Sequence, residues 1–494
     1  MPVTAETIEK LLAQIDELLA EVSSLTEELK KANEQHRADE AKIEALTKKV
    51  EELSKKKVKK DSHNSSKPPS SDGYAKPKPQ SLREISGKNV GGQKGHAGNG
   101  MKVTREPDEI KQCRPSQCEG CPNMERCKYT CTGKRYVYDA EVTVQLVEYE
   151  TLAVNCPLEE QKRIEGKFPA EAAAPKQYGS NLRAFVGALS TVGYVSVDRI
   201  RQFLNGFGIP ISSGSIQNMI DDLSLKAEAT DHFIREKVAS FEALHCDETG
   251  IRINGKLNWL HCICTPLWSY FVVHEKRGSV AMDEIGIIPS LDGCTLIHDF
   301  WSSYLKYANV NHAFCNAHIE RELVYAYETT HQQWAEQLKE LLSEMCKRRN
   351  ELFALGFTSF PAAELSEYLA RYDKYIEEGL SANPLQERAE GKRGRLKKGK
   401  TRCLLERLEE YKDNILRFAT DWSIPFTNNE AERSIRFTKV KTKVSGCFRT
   451  KDGADGFAST MSYISTAKKH GVFAFEALLS LIKGESLQLL ETWA

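Results

Sequence analysis

The sequence contains no apolar run of about 18 residues, which is the length that a membrane-spanning helix needs. Its N-terminus also lacks the basic stretch followed by an apolar stretch that characterises a secretory signal. With 494 residues, 40% of them hydrophobic and 28% charged, the composition excludes wholesale disorder, collagen-like repeats and a small disulfide-stabilised scaffold. We therefore expect a cytoplasmic protein with several globular domains and no membrane contact.

The chain also lacks net charge, because 69 basic residues balance 69 acidic ones. The two signs are nevertheless segregated: residues 1–53 carry 7 basic and 13 acidic side chains, whereas residues 54–105 carry 13 and 3. The basic segment is rich in proline, glycine and serine and poor in apolar groups. It predicts a flexible cationic arm that binds the phosphate backbone of a nucleic acid, and a solvated linker is the alternative.

Apolar residues recur in the acidic segment with alternating three- and four-residue spacing. Twelve of fourteen successive positions are apolar, and His36 and Asp39 are the two exceptions. The twelve are Ile8, Leu11, Ile15, Leu18, Val22, Leu25, Leu29, Ala32, Ile43, Leu46, Val50 and Leu53. This spacing is typical of a coiled coil. A second copy of the chain is the simplest partner, which predicts a homodimer or higher oligomer; folding back onto the same chain is the alternative.

Six of the 14 cysteines lie between positions 113 and 156. They are Cys113, Cys118, Cys121, Cys127, Cys131 and Cys156. In a reducing compartment, such close spacing suits tetrahedral binding of Zn²⁺ by thiolates better than disulfides. The first four are the predicted zinc ligands, and either of the last two could replace one of them. Buried free cysteines in a loop-rich domain are the alternative.

The next segment has the periodicity of helices. Residues 197–204 and 212–220 predict two helices joined by a turn that contains glycine, with serine at the cap of the second helix. This arrangement resembles a helix-turn-helix, in which Gln217 and Asn218 would reach the base edges of DNA. An ordinary helical hairpin is the alternative.

Five apolar runs of strand length follow. One helix is predicted before the fourth run, and another between the fourth and the fifth. The runs cover residues 243–253, 256–264, 268–274, 295–299 and 312–315. Tight turns between the first three predict an antiparallel meander, a short helix is predicted at 279–288, and the last two strands should be parallel to the first. Three antiparallel strands followed by two parallel strands is the order of the ribonuclease H-like fold.

The predicted fold class is multidomain α+β, with a ribonuclease H-like α/β catalytic core. The predicted domains are a coiled coil (1–56), a basic flexible arm (57–108), a cysteine-rich zinc-binding module (109–160), a helical DNA-binding domain (161–235), the core in two parts (236–325 and 421–470), an all-helical insertion between them (326–420) and a C-terminal helical tail (471–494).

Three acids are the candidates for catalysis. Asp247 lies on the first, central strand and Asp299 at the end of its predicted neighbour, so the two side chains can converge. Glu430 lies on a helix that follows Pro425 and is the expected third acid. Such carboxylates hold two Mg²⁺ or Mn²⁺ ions, which activate a nucleophilic oxygen and stabilise the leaving oxygen in phosphoryl transfer. The alternative is that Asp247 and Glu248 form a solvated turn.

Two basic runs accompany the acids. Residues 388–402 contain eight Lys or Arg against one acid, and residues 433–451 contain no acid. Both runs predict contacts to DNA phosphates, and a solvated basic face is the alternative. The expected DNA-binding residues of the second run are Arg433, Arg436, Lys439, Lys441 and Lys443.

Several short motifs occur in an order that covers nearly the whole chain. They are Asn64-Ser65-Ser66-Lys67-Pro68-Pro69-Ser70-Ser71-Asp72, Gly91-Gly92-Gln93-Lys94-Gly95-His96, the cysteine cluster, Asp247-Glu248-Thr249, Asp299 with Tyr304, Cys315-Asn316-Ala317-His318 and Asn428-Asn429-Glu430-Ala431-Glu432-Arg433-Ser434-Ile435-Arg436. Together they resemble the transposases of the bacterial insertion sequence 66 family, which are Asp-Asp-Glu enzymes.

This resemblance implies that Asp247, Asp299 and Glu430 form the metal-binding triad. Cys315 and His318 resemble a signature that several transposase families have after the second aspartate. We expect them to have a structural role or to support the active site, and metal binding is the alternative. The family often has a second Cys-x2-Cys at the end of its zinc region, where this chain has Glu159 after Cys156.

The predicted function is that of a DNA transposase. It would bind the terminal inverted repeats of an insertion sequence as an oligomer, cleave DNA with Mg²⁺ to leave 3′-hydroxyls, and join these to target DNA. The family also suggests accessory proteins from the same element. The alternatives are a catalytically inactive DNA-binding regulator and a ribonuclease H-like nuclease that acts on branched or hybrid substrates.

Overall fold

The structure, a computed structural model, describes residues 5–54, 60–61, 64–65, 103–118, 120–122, 124–156, 162–385 and 398–493. The chain forms two compact units, one from residues 1–77 and 317–412 and the other from residues 78–316 and 413–494. Most of the predicted basic arm, and residues 388–397 of the first basic run, lie outside the described residues. None of the described helices has both the length and the apolar character needed to cross a membrane.

The described chain is a mixed α+β protein. Its helices are α1 (Ala5–Ser54), α2 (Ser180–Thr191), α3 (Val197–Gly206), α4 (Ser213–Ala239), α5 (Ser279–Ile285), α6 (Asn316–Thr330), α7 (Gln333–Ala354), α8 (Ala362–Ala382), α9 (Lys400–Glu410), α10 (Lys412–Thr420), α11 (Asn429–Ser434), α12 (Phe437–Ser445), α13 (Lys451–Lys469), α14 (Ala474–Lys483) and α15 (Ser486–Glu491). Its strands are β1 (Ala153–Cys156), β2 (Lys162–Glu165), β3 (Ala243–Ile253), β4 (Lys256–Cys264), β5 (Ser269–His274), β6 (Thr295–His298) and β7 (Asn311–Phe314).

The helix α1 of the first unit is 50 residues long, or about 75 Å. Eight of its large apolar side chains are 50% to 64% exposed. They are Ile15, Leu18, Leu19, Val22, Leu25, Leu29, Ile43 and Leu46. All but Leu19 belong to the repeat with three- and four-residue spacing. The helix α1 is therefore present. The described apolar side chains of its repeat, which we call the seam of α1, face solvent.

The remaining helices of the first unit form a packed bundle. Leu338, Leu341 and Met345 of α7 are fully buried, and α7 packs against α8, which in turn packs against α9. The α8–α9 contact requires Gly379, because a Cβ atom there would lie 2.4 Å from the side chain of Leu405. The described part of residues 326–420 is therefore helical, and its place as an insertion in a core stays a prediction.

The second unit contains a five-stranded mixed sheet with the order β5-β4-β3-β6-β7. The strands β3, β4 and β5 are antiparallel to their neighbours, whereas β6 and β7 run parallel to β3. The bounds follow the predicted apolar runs closely. The helix predicted at 279–288 is shorter: α5 ends at Ile285, and Gly286 after it adopts the left-handed conformation at φ +74°. Between β6 and β7, where a helix was predicted, the structure has a 3-10 turn at Tyr304–Lys306.

Helices cover both faces of this sheet. Leu244 of β3 packs in one cluster with residues of α4 and α14, whereas Ile251 packs in another with residues of α11 and α13. The edge strand β5 is covered by α13, since the hydroxyls of Ser462 and Thr466 accept hydrogen bonds from its backbone N–H groups at 2.8 and 3.1 Å. These bonds satisfy the edge donors that would otherwise pair with another strand.

The helices α2, α3 and α4 form a small cluster before the sheet. The cap of α4 is Ser212, whose hydroxyl accepts a hydrogen bond from the backbone N–H of Ser215. The helix α4 continues past the predicted domain boundary at residue 235, because Ile234 and Val238 are buried in the core of the sheet. A single helix therefore joins the predicted DNA-binding segment to the sheet.

Candidate active site

Two aspartates meet at the centre of the sheet. Asp247 lies within β3, and Asp299 directly follows β6, its parallel neighbour. The register pairs His245 with Ile297. Continued by two residues, it places Asp299 level with Asp247, and adjacent strands are only about 4.8 Å apart. The topology thus brings together two acids that are far apart in the sequence.

The carboxyl group of Asp299 influences the protonation of Asp247. Burial, and then the negative charge of Asp299, raise the pKa of Asp247 to about 7. A hydrogen bond from the backbone N–H of Glu248 and the positive charge of Arg277 act in the opposite direction. Burial also raises the pKa of Asp299, and Arg277 lowers it. The site therefore concentrates negative charge that a cation would stabilise.

Glu248 is an acid that the sequence did not single out. It lies in the middle of β3 and is 8% exposed, so the alternative of a solvated turn at Asp247 and Glu248 is wrong. Its carboxylate accepts a hydrogen bond from the hydroxyl of Tyr304 and two from Arg277 at 3.4 Å. Burial raises its pKa to about 8. Because side chains alternate along a strand, Glu248 points to the opposite face of the sheet from Asp247.

The helix α11 is attached to β3 by Asn428, which directly precedes it. Asn428 is 2% exposed. Its side-chain amide donates a hydrogen bond to the carbonyl of Cys246 at 2.7 Å, and its Oδ1 lies 2.8 Å from the Nδ1 of His245. Its backbone N–H donates to the Sγ of Cys315 at 3.2 Å. These bonds fix the start of α11 beside the strand that carries Asp247.

Two glutamates of α11 are candidates for the third acid. Glu430, the predicted one, forms an ion pair with Lys469, with the Nζ 2.9 Å from the Oε1. Glu432 contributes its negative charge to the raised pKa of Asp247. Its Oε1 also lies 3.7 Å from the Sγ of Cys315. The charge of Glu432 therefore acts on Asp247, whereas Glu430 contacts a lysine of α13.

Cys315 and His318 lie at the start of α6. Cys315 is fully buried, and its sulfur contacts both Asn428 and Glu432. His318 follows one helical turn later, and burial lowers its pKa to about 4. Cys315 thus touches the segment that positions α11, which is a contact of the kind expected from a supporting residue.

Arg277 precedes α5 and lies beside the acids. The centre of its guanidinium lies 4.0 Å from the ring centroid of Trp301 and 5.0 Å from that of Trp259. Its positive charge lowers the pKa values of Asp247, Asp299 and Glu248. No local sequence pattern indicates a role for this residue.

The second basic run lies on α11 and α12. Four of its predicted DNA-binding residues are exposed, namely Arg433, Arg436, Lys439 and Lys443. Lys441 differs, because it is half-buried with its Nζ 5.1 Å from the ring centroid of Phe457, and burial lowers its pKa. The exposed cations therefore follow directly on the helix that carries Glu432.

The two predicted base-reading residues are also on the surface. Gln217 and Asn218 lie in the second turn of α4 and are both exposed. The side-chain amide of Gln217 donates a hydrogen bond to Asp221 at 2.8 Å. Both side chains are accessible to a partner at this end of α4.

The cysteine-rich segment consists mainly of irregular chain. Cys113, Cys127 and Cys131 are exposed, and Cys118 and Cys121 are half-buried. Among these five described cysteines, no three sulfur atoms lie within 4.8 Å of one another. The side chain of Cys156 is outside the described part of the chain. The zinc ligands therefore stay a prediction.

Known protein families include sequences similar to this chain. The model of the Transposase IS66 family matches residues 176–456, which include the sheet, both aspartates and α11. This chain belongs to that family. A family of unknown function, DUF6444, matches residues 4–102. No curated protein matches the chain.

Proposed function

We propose that this chain is the enzyme that cleaves and joins DNA at the ends of an insertion sequence, and that Asp247, Asp299 and Glu432 are its catalytic acids. The observation that carries the assignment is the convergence of the two aspartates, with the charge of Glu432 acting on the same site. Glu432 takes the place of the predicted Glu430, because Glu430 is paired with Lys469. The strand order and directions support a ribonuclease H-like core.

A divalent cation fits this donor set. Carboxylate oxygens are the ligands that Mg²⁺ and Mn²⁺ prefer, and here burial and the charge of Asp299 raise the pKa of Asp247 although Arg277 opposes the rise. Asp247, Asp299 and Glu432 would hold the ion. When bound, a pair of such ions supplies activation of the attacking oxygen and stabilisation of the leaving oxygen in phosphoryl transfer.

The protein itself supplies orientation. Asp247 is fixed by the central strand, and Asp299 by the register of β6 beside it. Glu432 depends on Asn428, whose hydrogen bonds attach the start of α11 to β3. Cys315 supports the same attachment. Separate elements would thus position the three acids before substrate binds, so that little reorganisation would be required during the reaction.

DNA is the proposed substrate and partner. The exposed cations on α11 and α12 would bind its phosphates next to the acids, which positions the duplex without reading its sequence. Gln217 and Asn218 are the proposed base-reading residues for the terminal repeats. The basic arm before residue 108 would add affinity that depends on salt.

Self-association is proposed for α1, and a zinc module for the cysteine-rich segment. The exposed seam of α1 has β-branched residues and leucines at alternating positions, which is the pattern that two-stranded coiled coils use. A dimer would hold two catalytic units for the two ends of an element. For the zinc module, Cys113, Cys118, Cys121 and Cys127 remain the proposed ligands.

The test uses a plasmid that carries the DNA flanking this reading frame on both sides. The full-length protein is produced together with the neighbouring reading frames of its element, and strand breaks are mapped in Mg²⁺ and in EDTA. We expect nicks at the element ends that leave 3′-hydroxyls extendable by a polymerase, and no nicks with Asp247→Asn or Asp299→Asn. Binding without cleavage would instead support a regulator, and faster cleavage of an RNA–DNA hybrid would support a nuclease.

A further inference from the structure

The guanidinium of Arg277 lies between two tryptophan rings at the edge of the candidate active site. The ring of Trp301 is 4.0 Å away and that of Trp259 is 5.0 Å away, measured to their centroids. Trp301 is two residues beyond Asp299, and its backbone N–H donates a hydrogen bond to the carbonyl of Asp299 at 2.8 Å. Trp259 is in β4, directly beside the strand that carries Asp247. The two rings therefore tie the cation to the segments that carry both aspartates.

Such an arrangement restricts a side chain that is otherwise flexible. Arginine is planar and stacks on aromatic faces, and each cation–π contact is attractive. A guanidinium held between two rings has lost most of its rotamer freedom before any ligand binds. Its orientation is thus preorganised, so less entropy is lost when a ligand forms hydrogen bonds to it.

The guanidinium of Arg277 has more N–H donors than its hydrogen bonds to the described residues use. It has five N–H donors, and among the described residues its hydrogen bonds go to one carboxylate, that of Glu248, at the long distance of 3.4 Å. The side chain is 34% exposed. Lys306, another cation of the same unit, is instead engaged in an ion pair with Asp283 at 2.5 Å. Arg277 therefore has donors that can reach a ligand from solvent.

We propose that Arg277 binds a phosphate of the DNA strand at the candidate active site, and that Trp259 and Trp301 are positioning residues that orient its guanidinium. This inference rests on the proposed function. Phosphate is the ligand that a planar, bidentate donor recognises best. A DNA strand that enters a site rich in carboxylates meets repulsion, which a fixed cation at the edge of the site reduces.

The test measures binding of the full-length protein to a short fluorescein-labelled duplex in EDTA over a range of salt concentrations. Each phosphate contact contributes about 0.9 to the slope of log K against log salt. We expect Arg277→Gln to lower the slope by about that amount, whereas Arg277→Lys, which keeps the charge, should retain it. The matched control is Lys306→Gln, which changes the charge equally and should leave the slope unchanged. An unchanged slope for Arg277→Gln, or an equal decrease for Lys306→Gln, would overturn the proposal.

A second readout separates geometry from charge. Arg277→Lys keeps a positive charge, and Trp301→Leu keeps the arginine, but each variant loses the planar guanidinium in its fixed orientation. We therefore expect each to slow DNA cleavage about tenfold or more with little effect on the salt slope. Cleavage at the wild-type rate by both variants would contradict the positioning role. Thermal unfolding of each variant shows whether the fold is retained.

The two proposals fail differently. If the wild-type protein shows no cleavage dependent on Mg²⁺, the proposed function fails, and the salt slopes still report on Arg277. If the wild type cleaves and the slope of Arg277→Gln equals that of the wild type, the reaction stands and the phosphate contact is rejected.

Discussion

The sheet of the second unit and the helix α1 of the first unit differ in where their apolar side chains lie. On the sheet, Leu244, Ile251 and Leu260 are 2% exposed or less. On α1, Leu18 and Leu25 are 59% and 57% exposed. The sheet is therefore buried within one chain, whereas α1 exposes apolar side chains that a second copy would bury in the proposed coiled coil. Folding and self-association should accordingly respond to different substitutions.

Substitutions in the seam of α1 should have the largest effect, and that effect should be on self-association and not on folding. The double substitution Leu18→Ala and Leu25→Ala should weaken self-association about a thousandfold or more, since each packed leucine contributes about 2 to 5 kcal/mol. Sedimentation equilibrium of the full-length chain measures this change. Unfolding of the second unit should be unaffected.

Leu19 supplies the matched control. It is next to Leu18 and equally exposed, at 61%, but lies outside the repeat. Leu19→Ala should therefore change the association constant much less than Leu18→Ala. A wild-type chain that stays monomeric at every concentration would contradict the proposed coiled coil.

A substitution in the core of the second unit should act in the opposite way. A Cβ atom at Gly456 of α13 would lie 2.5 Å from the Cβ of Ser224 in α4, so Gly456→Val forces these helices apart. We expect a loss of about 2 to 3 kcal/mol in the free energy of unfolding, with self-association retained. Urea denaturation measures it.

Gly206 provides the comparison for that experiment. A Cβ atom at this position in α3 has no neighbour within 4 Å. Gly206→Ala should therefore leave stability unchanged or raise it by up to about 1 kcal/mol. Equal destabilisation by the two substitutions would show that the α4–α13 packing is not as described.

An effect of similar size concerns the pH dependence of stability through Asp231 of α4. Burial raises its pKa to about 6, and the charge of Glu228 adds to the rise, although Ser459 donates a hydrogen bond to it at 2.5 Å. Since the folded-state pKa exceeds the unfolded one, the stabilisation is complete below about pH 4 and is lost as the pH rises through about 6. The loss amounts to roughly 2 to 3 kcal/mol.

Unfolding of Asp231→Asn between pH 4 and 7 tests this sign. The variant should lack the decrease in stability that the wild type shows across this window. Asp452→Asn, which removes an exposed carboxylate from α13, should keep the wild-type decrease. Parallel curves for wild type and Asp231→Asn would contradict the buried, protonated aspartate.

The sequence predicted the sheet well because its strands are continuous apolar runs separated by turns. The five runs match β3 to β7 within one or two residues. Helix ends were harder to predict: α5 ends at Ile285, and α4 continues into the sheet core because Ile234 and Val238 are apolar there. These outcomes depend on tertiary packing, which local periodicity does not report.

The residues of the candidate site also depend on tertiary packing, which the sequence pattern does not report. Glu430 and Glu432 are two residues apart in one short helix, and the sequence contains no feature that selects between them. In the proposed site Asn428 makes the choice, because its hydrogen bonds attach the start of α11 to β3. Arg277 could not have been identified either, because its neighbours Trp259 and Trp301 come from distant parts of the chain.

The most direct test of the proposed acid site compares Glu432→Gln with Glu430→Gln in the cleavage assay with Mg²⁺. The first should lower the cleavage rate at least about 100-fold, because the loss of a metal ligand should reduce activity more than the loss of a residue that supports a ligand. The second should act mainly on stability, through the lost ion pair with Lys469. A protein that cleaves normally with Glu432→Gln but is inactive with Glu430→Gln, while folding like the wild type, would contradict the account.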